Sequence, residues 1–108
     1  MQKRIVEYEI NGFNPFRNWF FKLTKENQHK VRARLDRIAD GNYGNTTNEG
    51  GGIIAIRFIK EGLRIYVANV GDVVVILLNA GDKSLKAQQN KDIQKAKEYL
   101  EELKSRGL

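Results

Sequence analysis

From Arg4 to Ile10 the chain alternates, with Val6, Tyr8 and Ile10 apolar and Glu7 and Glu9 between them. That is the period of a half-buried strand. "NGFNP" ends it: Asn14 suits a helix N-cap, and Pro15 suits the first helical position, where its missing N–H has no partner to lose. Phe16, Trp19, Phe20 and Leu23 then recur at helical spacing, which assigns Trp19 to core packing. Thr24 can cap a second helix running to about Asp40, with Val31, Leu35 and Ile38 on its apolar stripe and Gly41 as its stop. "GNYGNTTNEGGG", Gly41 to Gly52, shows no period and is expected to be an irregular surface loop. It has no GK[ST] closure and is neither a P-loop nor a dinucleotide fingerprint.

Two alternating segments follow. Ile53 to Ile59 sets Ile54, Ile56 and Phe58 on one face and Arg57 on the other. Leu63 to Ala68 sets Leu63, Ile65 and Val67 opposite Arg64 and Tyr66. "KEG" and "NVGD" read as the hairpin turns around the second of these. Val73 to Leu78 is apolar on both faces, the pattern of a strand with neighbours on each side. After the elbow Gly81-Asp82-Lys83-Ser84, a last helix is expected from roughly Gln89 to Arg106, with Ile93, Ala96, Leu100 and Leu103 as a narrow seam. The expected order is β-α-α-β-β-β-α. This is an α+β domain spanning residues 1–108, with a mostly antiparallel four-stranded sheet and the helices packed on one face.

Charge changes this picture. The 108 residues carry 19 Lys+Arg against 13 Asp+Glu, a formal +6, which favours a polyanionic partner. Lys30, Arg34 and Arg37 recur at i, i+4, i+7, a stripe able to track phosphates if it is not merely a solvated face. His29, the only histidine, has no imidazole partner and reads as a surface residue. Without cysteine, disulfides and thiolate metal sites are excluded. The longest apolar run, six residues, is far short of a membrane span. The expected setting is cytoplasmic, with no membrane association and no cofactor or metal.

The period-2 rule also groups chemistry. Arg57, Arg64 and Tyr66 project from the face opposite the helices, and Lys83 enters from the elbow just past the apolar strand. Arginine forks bind phosphate oxygens in a planar, bidentate way, and a tyrosine can stack a base or move a proton. The same residues also make an ordinary solvent face.

Beyond period and charge, the run "LRIY" (63–66), "VVVILLNAGDKS" (73–84) and "DIQKAKEYLEEL" (92–103), preceded by "NPFRNWFFKL" and "ARLDRIADGNYG", resembles the RelE/HigB superfamily of toxin–antitoxin toxins. Within it, the run is similar to the phage-derived branch of addiction-module killer proteins. The resemblance implies a RelE-like fold and a toxin that enters the ribosome and cuts mRNA. It also implies a cognate helix-turn-helix antitoxin as partner. Arg64 and Tyr66 correspond to the family's "-R-V/I-Y" strand, Lys83 to its "GDKS" elbow, and Arg57 to the basic position on the preceding strand. For metal-independent cleavage by the RNA's own 2′-OH, Arg64 and Arg57 would stabilise the phosphorane. Lys83 would bind phosphate or protonate the leaving oxygen, and Tyr66 would orient or stack the nucleotide. Lys30, Arg34, Arg37, Lys86 and Lys91 would bind RNA or the ribosome. No residue stands out as general base, with Asp82 and Asp92 as candidates. Two other readings remain open: a non-nucleolytic toxin of the same fold, resembling the ParE gyrase poisons, and an inactive phage-derived binding module.

Overall fold

The computed structural model describes residues 2–82 and 85–107. Five strands, β1 (Arg4–Glu7), β2 (Thr46–Gly50), β3 (Ile53–Phe58), β4 (Leu63–Val70) and β5 (Val74–Asp82), form one mixed sheet in the order β1-β5-β4-β3-β2. β1 runs parallel to β5, and the other pairings are antiparallel. The α+β class, the three helices and the mostly antiparallel pairing agree with the sequence pattern. Strand number, element order and layering do not.

The extra strand is β2, inside the stretch expected to be an irregular loop. Its Thr46, Thr47 and Asn48 give little apolar signal, because it is an edge strand that buries almost nothing on its own. It turns into β3 through Gly50, Gly51 and Gly52, all at positive φ, where a side chain would be strained.

The helices cover both faces rather than one. α1 (Pro15–Phe20) and α2 (Lys25–Ala39) carry Phe16, Phe20, Val31 and Ile38 against Ile56, Phe58, Ile65, Val67, Val75 and Leu77. Asn14 and Thr24 cap these helices as expected: each side-chain oxygen accepts a bond, from the N–H of Arg17 and of Asn27 respectively. The third helix, α3 (Lys86–Ser105), packs Ala96 and Leu100 on the opposite face, against Ile53, Ala55, Tyr66, Ala68, Ile76 and Leu78.

The reason lies in how apolar side chains divide along β3 and β4. On the α3 face only Arg57 and Arg64 are charged; Ile53, Ala55, Tyr66 and Ala68 beside them are apolar or aromatic and need cover. α3 supplies it with its narrow seam. Fully buried Ala96 lets the helix approach closely. Among the described residues no helix is long and apolar enough to cross a membrane.

Candidate functional site

Arg57 and Arg64 are direct partners across the β3–β4 pair, so their side chains emerge side by side on the α3 face. Tyr66 follows two residues along β4, on the same face. The sheet therefore brings Arg57, Arg64 and Tyr66 together. That face, expected to be free of helices, is instead partly roofed by α3. Tyr66 has no exposed surface. Its ring and its hydroxyl are both core, so neither meets a nucleotide with α3 in this position. Lys83 lies outside the described residues.

The polar atoms here are buried and under-satisfied. Arg57 Nε, Arg64 Nε, the Tyr66 hydroxyl and Asn79 Oδ1 have no hydrogen-bond partner among the described residues. A buried donor or acceptor without a partner costs roughly 1–3 kcal/mol, so four in one place mark a region organised for something besides stability. Burial pushes the Tyr66 phenol up to about 12, and the nearby Asp92 carboxylate adds to the rise, more than Arg64 opposes it. Tyr66 therefore stays protonated and can donate a proton or a hydrogen bond; it is not a base.

Two carboxylates flank the group. From β2, Glu49 reaches across β3 to Arg64, Oε2 to Nη1 3.7 Å, with both side chains mostly buried (16% and 12% exposed). From α3, Asp92 lies over Gly81, in the space a Cβ there would occupy. It accepts a bond from Gln88 Nε2, and its backbone carbonyl accepts one from Asn79 Nδ2 at 3.0 Å. Burial raises the Asp92 carboxyl above its ordinary range. Asp82 ends β5, exposed. Glu49 is the residue the sequence pattern missed, because it sits in the segment read as a loop. The signal was local: Asn48-Glu49-Gly50, an Asx residue and a positive-φ glycine around an acid.

The basic stripe divides. Lys30, Arg34, Arg37 and Lys60 line a cleft of about 480 Å³ between α2 and the β3–β4 turn. Arg34 is not free there. Its Nη1 donates to the Arg57 carbonyl (3.1 Å), and its guanidinium lies over the Phe58 ring, centroid 4.5 Å away. Burial holds the Arg34 guanidinium below its usual range. Arg34 therefore clamps the end of β3 that carries Arg57. Lys30 pairs with Glu61 at 2.9 Å, whereas Arg37 is exposed. Lys86 and Lys91 are exposed on α3, away from this cleft's lining, and His29 is exposed on α2.

Residues 18–101 match the family model described as phage-derived protein Gp49-like (DUF891). The chain belongs to this family. An uncharacterized protein of Haemophilus influenzae is 39% identical over 97 residues, covering 88% of this chain and 95% of that protein. The Gp49-like match spans α2, all of β2 to β5 and most of α3, so both arginines, Tyr66, Glu49 and Asp92 fall within it.

Proposed function

We propose that this Gp49-like protein is the toxin of a toxin–antitoxin module and acts as a metal-independent, ribosome-dependent mRNA endoribonuclease. Membership of the Gp49-like family, a toxin-like family of such modules, supports the toxin role and a helix-turn-helix antitoxin as partner. The observation that carries the nuclease role is the pairing of Arg57 and Arg64 side by side across β3 and β4, with the neutral, buried Tyr66 hydroxyl beside them. Two guanidinium forks offer donors to a phosphate whose charge grows as it becomes pentavalent.

In this reading the 2′-OH of the RNA attacks its own phosphate, leaving a 2′,3′-cyclic phosphate and a 5′-OH. Arg64 and Arg57 hold the non-bridging oxygens, with Tyr66 buried beside Arg64 along β4, and Lys83 protonates the departing 5′-oxygen. Arg37 and Lys60 bind phosphates along the α2 cleft, beside Lys30, which is paired with Glu61.

Primer extension on mRNA in a translation extract tests this. The wild-type chain should produce discrete cuts in translated mRNA, and Arg64→Ala and Lys83→Ala should each lower cleavage by about 10²- to 10³-fold and release growth arrest while remaining folded by circular dichroism. Full toxicity in both variants would reject the site. One observation favours a second reading, a non-nucleolytic toxin acting on gyrase: the described residues put no imidazole on this face. Loss of supercoiling by gyrase, without mRNA cuts, would select that reading.

A further inference from the structure

We infer that Glu49 is the general base that takes the 2′-hydroxyl proton, an assignment that rests on the ribonuclease reading above and supplies the group it lacks. Three features carry it, the first being how Glu49 is aimed. The pairing of β2 with β3 shifts register between Asn48 and Gly50, so Glu49 is the extra residue of a bulge. Asn48 Oδ1 accepts the Gly50 N–H at 2.9 Å, and Gly50 has φ +81°. The chain thus spends an Asx turn and a glycine on bending one acid out of the ladder, and bulges beside sites serve to redirect a side chain in this way.

The second feature is what Glu49 meets. It crosses β3, where its neighbour Thr47 pairs with Ala55, and reaches Arg64. The guanidinium lies 3.7 Å from the carboxylate, while the buried Arg64 Nε and Tyr66 hydroxyl remain unpartnered among the described residues. A phosphate held by Arg64 and Arg57 would set its adjacent 2′-oxygen within reach of Glu49. Arg64 of β4 is the charged group in contact with Glu49, both Glu49 and Asp92 act on the Tyr66 phenol, and Lys97 of α3 packs along Gly51 two residues from Glu49.

The third is that two of the alternatives, Asp92 and Tyr66, are engaged elsewhere. Asp92 already accepts a bond from Gln88 and packs on Gly81, and Tyr66 holds its proton. In the step, a Glu49 carboxylate oxygen takes the proton from the 2′-OH. The 2′-oxygen bonds to phosphorus, the bond from phosphorus to the 5′-oxygen breaks, and the departing oxygen receives a proton from the acid assigned to Lys83. Atoms and charge balance without a further reactant.

The test uses the full chain on ribosome-bound mRNA under single-turnover conditions, with cyclic-phosphate ends scored to identify the reaction. Glu49→Gln should cut about 10²- to 10⁴-fold more slowly, and Glu49→Asp, which keeps a shortened carboxylate, should fall between the two. Cleavage by Glu49→Ala should be restored by added formate, acetate and propionate in rising order of their basicity. Three outcomes overturn the assignment while leaving the nuclease reading intact. They are a Glu49→Gln rate within threefold of wild type, a faster Glu49→Gln enzyme (Glu49 would then be a counter-ion competing with phosphate), and rescue indifferent to carboxylate basicity. A wild-type chain that makes no cyclic-phosphate ends removes the nuclease reading and this one together.

Discussion

Asp92 shows how one side chain couples the sheet to the helix above it. Its carboxylate fills the space over Gly81, and its backbone carbonyl holds the Nδ2 of Asn79, a buried amide whose oxygen has no partner among the described residues. Burial is the main reason its carboxyl titrates above the ordinary 3.8, with Asp82 adding to the rise and the Gln88 bond opposing it. A folded-state value raised above the unfolded one means that the native state binds the proton more tightly. Ionised Asp92 therefore costs stability at every pH above its folded pKa, and that cost fades as pH falls toward and below 3.8. Asp92→Asn keeps an acceptor for Gln88 and removes the charge. Its melting temperature should exceed that of wild type at pH 7, and the two should converge near pH 3.5. A variant less stable at pH 7 would mean that Asp92 is held by a favourable charge contact. Residue-scale chemistry of this kind was only half legible in the sequence. "GDKS" marked an elbow, but a helical residue eleven positions after Gly81 pressing on it depends on where α3 docks.

α3 is fastened unevenly along its length. Its C-terminal half is tied down by the Tyr8 hydroxyl, which donates to Glu102 at 2.7 Å, by Arg106, which donates to the Glu9 carbonyl, and by the stacked Tyr8 and Tyr99 rings. Burial and the Glu102 bond push the Tyr8 phenol up to about 12, so this tie persists across the ordinary pH range. At the other end Leu85 has the extended backbone of an N-cap but no side chain to bond the free N–H groups. No acid sits in the first turn, where Lys86 opposes the helix dipole. Leu85 is 69% exposed, so replacing it sacrifices little packing. Leu85→Asp should stabilise the helix by about 1 kcal/mol, seen as a melting temperature higher by a few degrees and slower amide exchange at 86–92. Exchange at 96–103 should slow by a similar factor, because that half is tied to Tyr8 and Glu9 and opens with the sheet, which forfeits the added cap as well. Slowing confined to 86–92 would mean that the C-terminal half opens locally while the first turn stays formed. The helical periods of α1, α2 and α3 were readable because each repeats an apolar seam. β2 was not, since an edge strand of Thr, Asn and Gly is defined by its neighbour β3 rather than by its own pattern. The side on which α3 packs was hidden for a related reason. Arg57 and Arg64 dominated the reading of a face whose other residues are Ile53, Ala55, Tyr66 and Ala68.

At the scale of the whole molecule, the +6 charge is arranged around two back-to-back features at one end of the sheet. The guanidinium pair lies on the α3 face and the α2 cleft on the other, joined through Arg57, whose side chain serves the first and whose carbonyl anchors Arg34 of the second. A phosphate chain bound in the cleft would release counterions for each cation it meets, weakening binding by about 0.7 in log K per log salt for each single-strand contact. Arg37 and Lys60 are exposed and available for such contacts. Lys30 is held by Glu61, and that pairing is why the Glu61 carboxyl titrates below its ordinary range and the Lys30 amine above its own. Arg34 contributes through position rather than contact. Replacing Arg37 and Lys60 together by alanine should therefore lower the salt slope of ribosome or single-stranded RNA binding by about 1.4, without moving the melting temperature by more than a degree or two. Glu61→Gln should act oppositely, leaving Lys30 only its exposed partner Glu26 at 3.5 Å and steepening the slope by up to about 0.7. Arg34→Ala should leave the slope nearly unchanged yet destabilise the fold, since it strands the Arg57 carbonyl and uncovers Phe58. Measuring the slopes by filter binding between 50 and 300 mM salt separates the two kinds of arginine. A slope that falls as much for Arg34→Ala as for the paired substitution would mean that Arg34 leaves its clamp to meet phosphate directly.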